Sequence, residues 1–312
     1  MKNPNKIYDG VIVFAYHSIG VKCLNILIRN RVKIHLVVTH HDSADENIWF
    51  KSVEETCKNN KINYFILEKS NFDNLKKKIC KKSISVIFSF YFRNIIPKSI
   101  LELSKYGAVN MHGSLLPKYR GRAPINWHII NGEKKGGVTL HYMTEKPDTG
   151  NIIDQKSVSI SKKDTPIELF EKVEKAGEMI LSRSLESILN GTCSSVPQDH
   201  KIATYYGSRK PKDGRIDWNQ SSEKILNLIR GVTKPYPGAY TYINKKKIII
   251  WKAASTKFRN SLEEPGKVII NRNYVYVKTG DGLIRLSKIQ IDGHELSPIN
   301  KIELIRNCLK CD

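Results

Sequence analysis

Long apolar runs are missing from this chain of 312 residues. The first apolar run, residues 11–16, is too short for a signal peptide, and no run approaches the roughly 20 residues of a membrane-spanning helix. The six cysteines are scattered and lack the density of a secreted disulfide scaffold. Cys308 and Cys311 form a lone C-x-x-C pair, with no second pair to complete a zinc site. We therefore expect a cytoplasmic protein without membrane insertion and without a bound metal.

Common nucleotide-binding and nucleophile motifs are absent as well. Neither G-x-G-x-x-G nor a Walker loop follows the first predicted strand, which excludes the usual dinucleotide and triphosphate fingerprints. No Gly-x-Ser-x-Gly elbow occurs, so the sequence offers no hydrolase-type serine nucleophile.

Acidic residues are scarce: 30 of them face 52 lysines and arginines, for a net charge of +22. Such a charge invites a nucleic-acid interpretation. The lysines, however, are dispersed among asparagines and isoleucines, and the short runs at 76–78 and 245–247 lack interleaved aromatic residues that stack bases. We attribute the charge to composition and to polyanionic small ligands, and expect no nucleic-acid partner.

The first 110 residues alternate strand and helix signals, as a doubly wound sheet should. Ser18 is the expected N-cap of the first helix, which carries an apolar stripe at helical spacing. The predicted strands are residues 10–16, 33–39, 62–67 and 84–90, and the further helices are residues 46–59 and 72–81.

The remaining sequence predicts a second, β-rich domain. A strand at 156–160 and a long helix at 167–189 precede a segment rich in Gly, Ser, Thr and Pro. We predict a catalytic domain at 1–190, a linker at 191–203 and a second domain at 204–312. Its short strands, typical of a small barrel or sandwich, are residues 239–243, 247–251, 267–270, 274–278 and 283–289.

Residues 107–150 have the character of an active site. A short apolar strand ends with Asn110 and His112, a loop rich in Gly and Pro follows, and a second apolar strand leads to Asp148 in a Pro-Asp-Thr-Gly turn. An imidazole can move protons near neutral pH, a carboxamide N–H can stabilise an oxyanion, and a carboxylate favours the imidazolium. The three groups suit acyl transfer by direct attack of an external nucleophile.

Spacing alone leaves a second interpretation open for these residues. Asn110 and Asp148 are also common turn formers, and His112 is equally compatible with a hydrogen-bonded loop histidine.

The segment NMHGSLLPKYRGRAP, with PDTG downstream, resembles the signature of the 10-formyltetrahydrofolate-dependent formyltransferases. The resemblance implies that Asn110 stabilises an oxyanion, that His112 is the catalytic acid or base, and that Asp148 keeps His112 basic. It also implies an α/β fold class: a Rossmann-like open twisted sheet (the formyltransferase fold) with a smaller C-terminal open β-barrel, OB-like in form.

Two departures point away from the tRNA-specific members of this family. Those enzymes usually read Phe-Ala-Gly-Thr-Pro after the first strand, where this chain reads FAYHSIG. They also carry a basic insertion after the second strand, where this chain has two lysines and five acids that would repel a phosphate backbone. The acids are Asp42, Asp45, Glu46, Glu54 and Glu55.

FAYHSIG, THHDSADE, VIFSFYFRNIIP and IRGVTKPYPGAYTYINKKKIIIWKA instead resemble enzymes that formylate an amino sugar on a nucleotide. They are similar to the formyltransferase half of the bifunctional enzyme acting on UDP-4-amino-4-deoxy-L-arabinose, whose product serves lipid A modification and polymyxin resistance. The resemblance implies 10-formyltetrahydrofolate as co-substrate. Because the decarboxylase domain of that enzyme has no counterpart before Asp312, we expect that second activity to be absent or on another polypeptide.

The resemblance also implies ligand contacts. Folate contacts are expected from the residues after the fourth strand, from Arg122 and from the turn that holds Asp148. Substrate contacts are expected from the residues after the first strand and from a basic cluster that suits a diphosphate. The folate set is Asn94, Ile95, Ile96, Arg122, Thr144, Glu145, Lys146, Pro147 and Asp148, and the substrate set is Tyr16, His17, Ser18, Arg209 and Arg215.

Simpler roles remain open for several of these residues. Ile95 and Ile96 also suit a core position, Arg122 a solvated loop charge, and residues 16–18 packing and helix capping. Three other functions stay open too: transfer to initiator methionyl-tRNA, transfer to a dTDP-linked amino sugar, and a non-catalytic protein that binds polyanions. The sequence does not determine the oligomeric state, and a homodimer is one option.

Overall fold

The computed structural model describes residues 9–42, 47–68, 71–243, 245–257 and 263–301. The chain divides into two compact units. The first contains the described residues up to Pro124 together with Lys135–Ser159 and Phe170–Tyr206. The second contains Ile125–Lys134, Ile160–Leu169 and the described residues from Gly207 onward. No helix within the described ranges has the length and apolar character needed to cross a membrane.

The first unit is built on a seven-stranded sheet of order β3-β2-β1-β4-β5-β7-β8. The strands from β1 to β5 are parallel, and β7 and β8 continue the sheet antiparallel. A separate two-stranded ladder joins β6 to β9. The strands are β1 Gly10–Ala15, β2 Ile34–Thr39, β3 Tyr64–Ile66, β4 Ile84–Phe90, β5 Ala108–His112, β6 Arg120–Gly121, β7 Lys135–Tyr142, β8 Ile152–Ser159 and β9 Tyr205–Tyr206.

Strand order reverses between β1 and β4, the point at which open α/β sheets bind ligands at their carboxyl edge. Every residue of β1 and β4 is buried, which explains why their sequences are apolar apart from Ser85 and Ser89 of β4. A core cluster that includes Ile12, Phe14 and Ile87 lies against these strands. The reversal therefore places the ends of β1, β4 and β5 side by side.

Seven α-helices accompany the strands in the described ranges. Three single-turn 3-10 helices lie at His200–Ile202, Pro211–Gly214 and Pro298–Lys301. The α-helices are α1 His17–Arg29, α2 Val53–Asn59, α3 Phe72–Ile79, α4 Lys98–Leu101, α5 Pro124–Ile130, α6 Pro166–Asn190 and α7 Ser222–Gly231.

The second unit holds a six-stranded antiparallel sheet of order β10-β11-β14-β13-β12, with β15 paired to β14. Alternate strand residues and the apolar face of α7 bury a core that includes Trp218 and Ile229. The strands are β10 Ala239–Ile243, β11 Lys246–Ser255, β12 Val268–Asn271, β13 Tyr274–Lys278, β14 Leu283–Ile291 and β15 His294–Leu296.

The predicted fold class is confirmed: a mixed sheet with helices precedes a smaller antiparallel sheet consistent with a small barrel-like domain. The first unit continues through Tyr206 because β6 pairs with β9, although we predicted residues 191–203 as a linker. The division into two separately folding domains stays a prediction.

Three local predictions were wrong. Ser18 is not a cap, because α1 begins at His17 and its N-cap Tyr16 makes no side-chain capping bond. The helix predicted from residue 46 begins at Val53, where the Ser52 side chain accepts a hydrogen bond from the amide of Glu55. The strand predicted at 156–160 is β8, which starts earlier because Ile152 pairs with His141.

Candidate active site

Asn110 and His112 come from the carboxyl end of β5. They are two residues apart, so they share one face of the strand. β5 lies between β4, where Ser89 pairs with Asn110, and β7, where His141 pairs with Asn110. The sheet therefore holds the carboxamide and the imidazole next to each other from both sides.

The ring of His112 is buried, and both of its nitrogens have polar neighbours. Nε2 lies 2.8 Å from the carbonyl oxygen of Tyr119, and Nδ1 lies 3.5 Å from Oδ1 of Asp148. A carbonyl oxygen only accepts hydrogen bonds, so Nε2 carries a hydrogen. Nδ1 is then the nitrogen that faces the carboxylate.

Asp148 is held by both its carboxylate and its backbone. Oδ2 accepts a 2.8 Å hydrogen bond from the amide of Gly121. Burial opposes ionisation of Asp148, but the charge of His112 and the hydrogen bond from the Gly121 amide favour the carboxylate, and the Asp148 pKa lies well below its ordinary value. The carboxylate therefore stays charged at neutral pH.

The turn that carries Asp148 has an unusual backbone. Asp148 has a φ of 56°, in the left-handed region. The hydroxyl oxygens of Thr144 and Thr149 lie 2.7 Å apart, and they lie 3.0 and 2.9 Å from the carbonyl oxygen of Lys146, so two hydroxyl hydrogens serve these three contacts. A Cβ at Gly150 would lie 1.9 Å from the carbonyl oxygen of Tyr142, so only glycine fits there. The Asp-Thr-Gly sequence thus fixes how the carboxylate approaches His112.

His141 is a fourth polar group at this site, and the sequence analysis did not single it out. Its ring is 1% exposed. Nδ1 lies 2.8 Å from the carbonyl of Tyr142, and Nε2 lies 3.1 Å from Nδ2 of Asn110 and 3.6 Å from Oδ1 of Asp148. A neutral ring that donates from Nδ1 accepts one Asn110 N–H, which leaves the other for a ligand. The sequence signal for His141 was a histidine in a mostly apolar predicted strand.

The predicted folate residues flank these groups. After β4, Asn94 is partly buried, Ile95 is 69% exposed and Ile96 is buried in the core. Arg122 is exposed and its guanidinium donates to the carbonyl of Arg93 at 3.2 Å, which brings it beside the 94–96 segment. Thr144, Glu145, Lys146 and Pro147 are exposed on the turn before Asp148.

The predicted substrate residues after β1 lie in an aromatic cluster. Tyr16 and His17 are buried at 3% and 4% exposure, and Ser18 is partly buried. The ring of His17 lies 3.8 Å from that of Phe50 and 4.9 Å from that of Trp49. Burial, with a smaller effect from the charge of Arg93, lowers the His17 pKa from 6.5 to about 3. His17 is therefore neutral at physiological pH.

The predicted diphosphate residues lie in the second unit. Arg209 is partly buried, stacks over Trp127 at 4.6 Å and donates to the carbonyl of Asp213. Arg215 is exposed and lies over the ring of Tyr242 at 5.9 Å.

Two remaining sequence features bear on the site. Asp42 accepts a 2.6 Å hydrogen bond from the Tyr16 hydroxyl, whereas Asp45 and Glu46 lie outside the described residues. Among the described residues no group of three or more His, Cys, Asp or Glu side chains could hold a metal ion. Cys308 and Cys311 also lie outside the described residues.

Comparison with known protein families identifies the family of the chain. The formyl transferase family matches residues 11–185, and its C-terminal domain matches residues 209–302. The chain belongs to the formyl transferase family.

Relatives of this family member extend the comparison. The chain is 46% identical over 262 residues to the bifunctional polymyxin resistance protein ArnA of Wigglesworthia glossinidia brevipalpis, a match that covers 83% of this chain and 39% of that protein. The chain thus spans about two fifths of the length of this curated relative.

Two solved structures share the fold. One is an N-formyltransferase from Helicobacter canadensis in complex with folinic acid and dTDP-3-aminofucose, with 25% identity and a TM-score of 0.70 over 89% of this chain and 98% of that one. The other is the sugar 3N-formyltransferase WlaRD, with 24% identity and a TM-score of 0.70 over 93% of this chain and 100% of that one.

Proposed function

We propose that this family member transfers a formyl group from 10-formyltetrahydrofolate to the amine of a nucleotide-linked amino sugar. The observation that carries the proposal is the convergence of Asn110, His112 and Asp148 at the carboxyl edge of the sheet. The bond formed joins the amine nitrogen to the formyl carbon, and the bond broken joins that carbon to a folate nitrogen.

The three side chains have complementary roles in this reaction. The uncharged amine attacks the formyl carbon, and the carbonyl oxygen becomes an oxyanion. Asn110 donates to that oxyanion through the N–H that His141 does not take, and the positive charge of the His112 imidazolium stabilises it as well. The proton lost by the amine reaches the departing folate nitrogen through Nδ1 of His112, because Nε2 is committed to Tyr119. Asp148 stabilises the imidazolium formed on the way.

The formyl donor is a substrate of this reaction, and the residues beside the trio suit it. Exposed Ile95 offers an apolar wall for a pterin, and the backbone around it offers hydrogen-bonding groups for the edge of that ring. Arg122, held beside this segment, supplies a positive charge. We assign Asn94, Ile95, Ile96, Arg122 and the turn at residues 144–148 to folate binding.

For the acceptor we propose UDP-4-amino-4-deoxy-L-arabinose, with a role in lipid A modification and polymyxin resistance. Similarity to ArnA over most of this chain supports that choice. Residues 16–18 are assigned to the sugar, and Arg209 and Arg215 to the diphosphate. A dTDP-linked amino sugar is the second candidate, because the H. canadensis enzyme was solved with dTDP-3-aminofucose. The cytoplasmic location and the homodimer stay predictions.

Mass spectrometry of the acceptor tests the proposal. The protein is incubated with 10-formyltetrahydrofolate and, separately, with UDP-4-amino-4-deoxy-L-arabinose, a dTDP-linked 3-amino sugar or methionyl-tRNA. We expect the UDP-sugar to gain one formyl group fastest. Preference for the dTDP-sugar corrects only the acceptor. Preference for tRNA, or no formylated acceptor at all, contradicts the proposal.

A further inference from the structure

Three consecutive residues connect the segment after β5 to the catalytic groups. The carbonyl of Tyr119 accepts from His112, and the amide of Gly121 donates to the Asp148 carboxylate. Between them, the guanidinium of Arg120 is 1% exposed and contacts neither His112 nor Asp148. It contacts Gln198, a residue of the segment predicted as linker.

The side-chain amide of Gln198 makes four hydrogen bonds. Its Oε1 accepts from Nε and Nη2 of Arg120 at 3.2 and 2.6 Å. Its Nε2 donates to the carbonyl oxygens of Asp148 at 2.9 Å and Gly150 at 2.6 Å. Arg120 has only donors and the carbonyls only accept, so this amide has a single permitted orientation. Gln198 thus hydrogen-bonds to the first and last residues of the Asp-Thr-Gly turn.

Arg120 is buried, and no acidic side chain pairs with it in the part of the chain that the structure describes. In the described ranges its polar partners are the Gln198 amide, the hydroxyl of Tyr205 at 2.5 Å and Nδ1 of His200 at 3.0 Å. A cation bound to an amide oxygen polarises the amide and strengthens the hydrogen bonds that its N–H groups donate. The buried charge therefore acts on the turn through Gln198.

We propose that Gln198, polarised by Arg120, is a positioning residue that holds Asp148 in register with His112. Restraint matters for Asp148 because aspartate adopts a left-handed backbone less readily than glycine does. Gln198 holds its carbonyl oxygen while Gly121 holds its carboxylate. Released from Gln198, the turn relaxes and the carboxylate moves away from the imidazole. Its expected effect on the reaction rate rests on the proposed function.

Two substitutions of Gln198 distinguish the effect of its N–H donors from the effect of its side-chain volume. Gln198→Glu keeps the shape and pairs with Arg120, but places an acceptor against two carbonyl oxygens. Gln198→Leu removes all four hydrogen bonds. With 10-formyltetrahydrofolate and UDP-4-amino-4-deoxy-L-arabinose, we expect kcat to fall roughly 10-fold to 100-fold in both variants, the usual cost of a displaced catalytic group. We also expect the acidic limb of the pH–rate profile to move to lower pH.

Gln155→Leu is the matched control. Gln155 also donates two side-chain hydrogen bonds, to the carbonyl of Leu116 at 2.8 Å and the hydroxyl of Thr139 at 2.9 Å, but none to the Asp148 turn. We expect a comparable loss of thermal stability with an unchanged acidic limb. A purely structural role for Gln198 would make the two leucine variants alike, which overturns the inference.

A readout independent of catalysis keeps the two proposals apart. In protein with ¹³C-labelled aspartate, the Asp148 carboxyl signal is assigned by its loss in Asp148→Asn and followed through acid titration. We expect it to titrate well below the ordinary value of about 3.9 in the native protein and closer to that value in Gln198→Glu. Identical titrations overturn the positioning role even if no acceptor is formylated, whereas an inactive native protein with the expected shift contradicts only the proposed function.

Discussion

Two buried histidines lie at the same edge of the first sheet in different surroundings. His17 follows β1 and packs against aromatic rings, and its Nδ1 has no hydrogen-bond partner among the described residues. His112 ends β5, and both of its nitrogens face oxygen atoms, one of them on a carboxylate. Their exposures are 4% and 7%, so burial does not distinguish them.

The comparison shows that polar partners, and not burial, suit a histidine to proton transfer. Desolvation alone disfavours the imidazolium, and the low pKa of His17 is the result. His112 instead has a carboxylate oxygen of Asp148 at 3.5 Å from its Nδ1. The sheet therefore places one neutral aromatic contact and one proposed acid–base group at the ends of two strands that β4 separates.

The largest expected effect is that of His112→Ala. Loss of a general acid–base group lowers kcat by roughly 10²–10⁴-fold. The control is His35→Ala, since Nε2 of His35 also lies 3.0 Å from a carbonyl, that of Ser83, but pairs with no carboxylate among the described residues. Steady-state assays with the UDP-amino sugar should give wild-type kcat for His35→Ala. Equal losses of kcat in His112→Ala and His35→Ala would contradict an acid–base role for His112.

Asn110→Ala should have the next largest effect. Removal of one oxyanion donor usually costs roughly 10²–10³ in kcat. Single-turnover rates with saturating folate donor measure it, and the melting temperature checks that the fold survives. An unchanged rate rejects the oxyanion assignment.

The smallest expected effect on the chemical step is that of His17→Phe, which we expect to change chiefly the stability. Because the His17 pKa is about 3 in the folded state and 6.5 when unperturbed, the unfolded chain binds a proton that the folded chain excludes between these values. The free energy of unfolding of the native protein should therefore fall as the pH drops through this window, by at most about 1.4 kcal/mol per pH unit.

Urea unfolding across pH measures this component. His17→Phe should flatten the pH dependence of the unfolding free energy and leave the acidic limb of the pH–rate profile in place. A displaced limb would mean that His17, and not only His112, takes part in proton transfer.

Much of the site followed from contiguous sequence. Asn110 and His112 lie two residues apart on one strand, and Asp148 lies in a Pro-Asp-Thr-Gly segment whose composition predicts a turn. The contact between His112 and Asp148 depends on the register between β5 and β7. These two strands are neighbours in the sheet, so their pairing is enough to bring the two side chains together.

Groups brought in by pairing or by distant contacts were not predictable in the same way. His141 reaches Asn110 only through antiparallel register, and Gln198 reaches Asp148 across 50 positions of the chain. The start of α2 was misplaced because residues 49 and 50 pack against His17, a tertiary contact that periodicity does not encode. Local patterns thus identified the reacting groups but not the residues that orient them.

The pH dependence of kcat in Asp148→Asn tests the central claim, that a charged carboxylate beside His112 makes it the acid–base group. The substitution keeps the size of the side chain and removes its charge. The account predicts a lower kcat and an acidic limb displaced to lower pH, because the imidazolium loses its counter-charge. Superimposable pH–rate profiles for the variant and the native protein would contradict it.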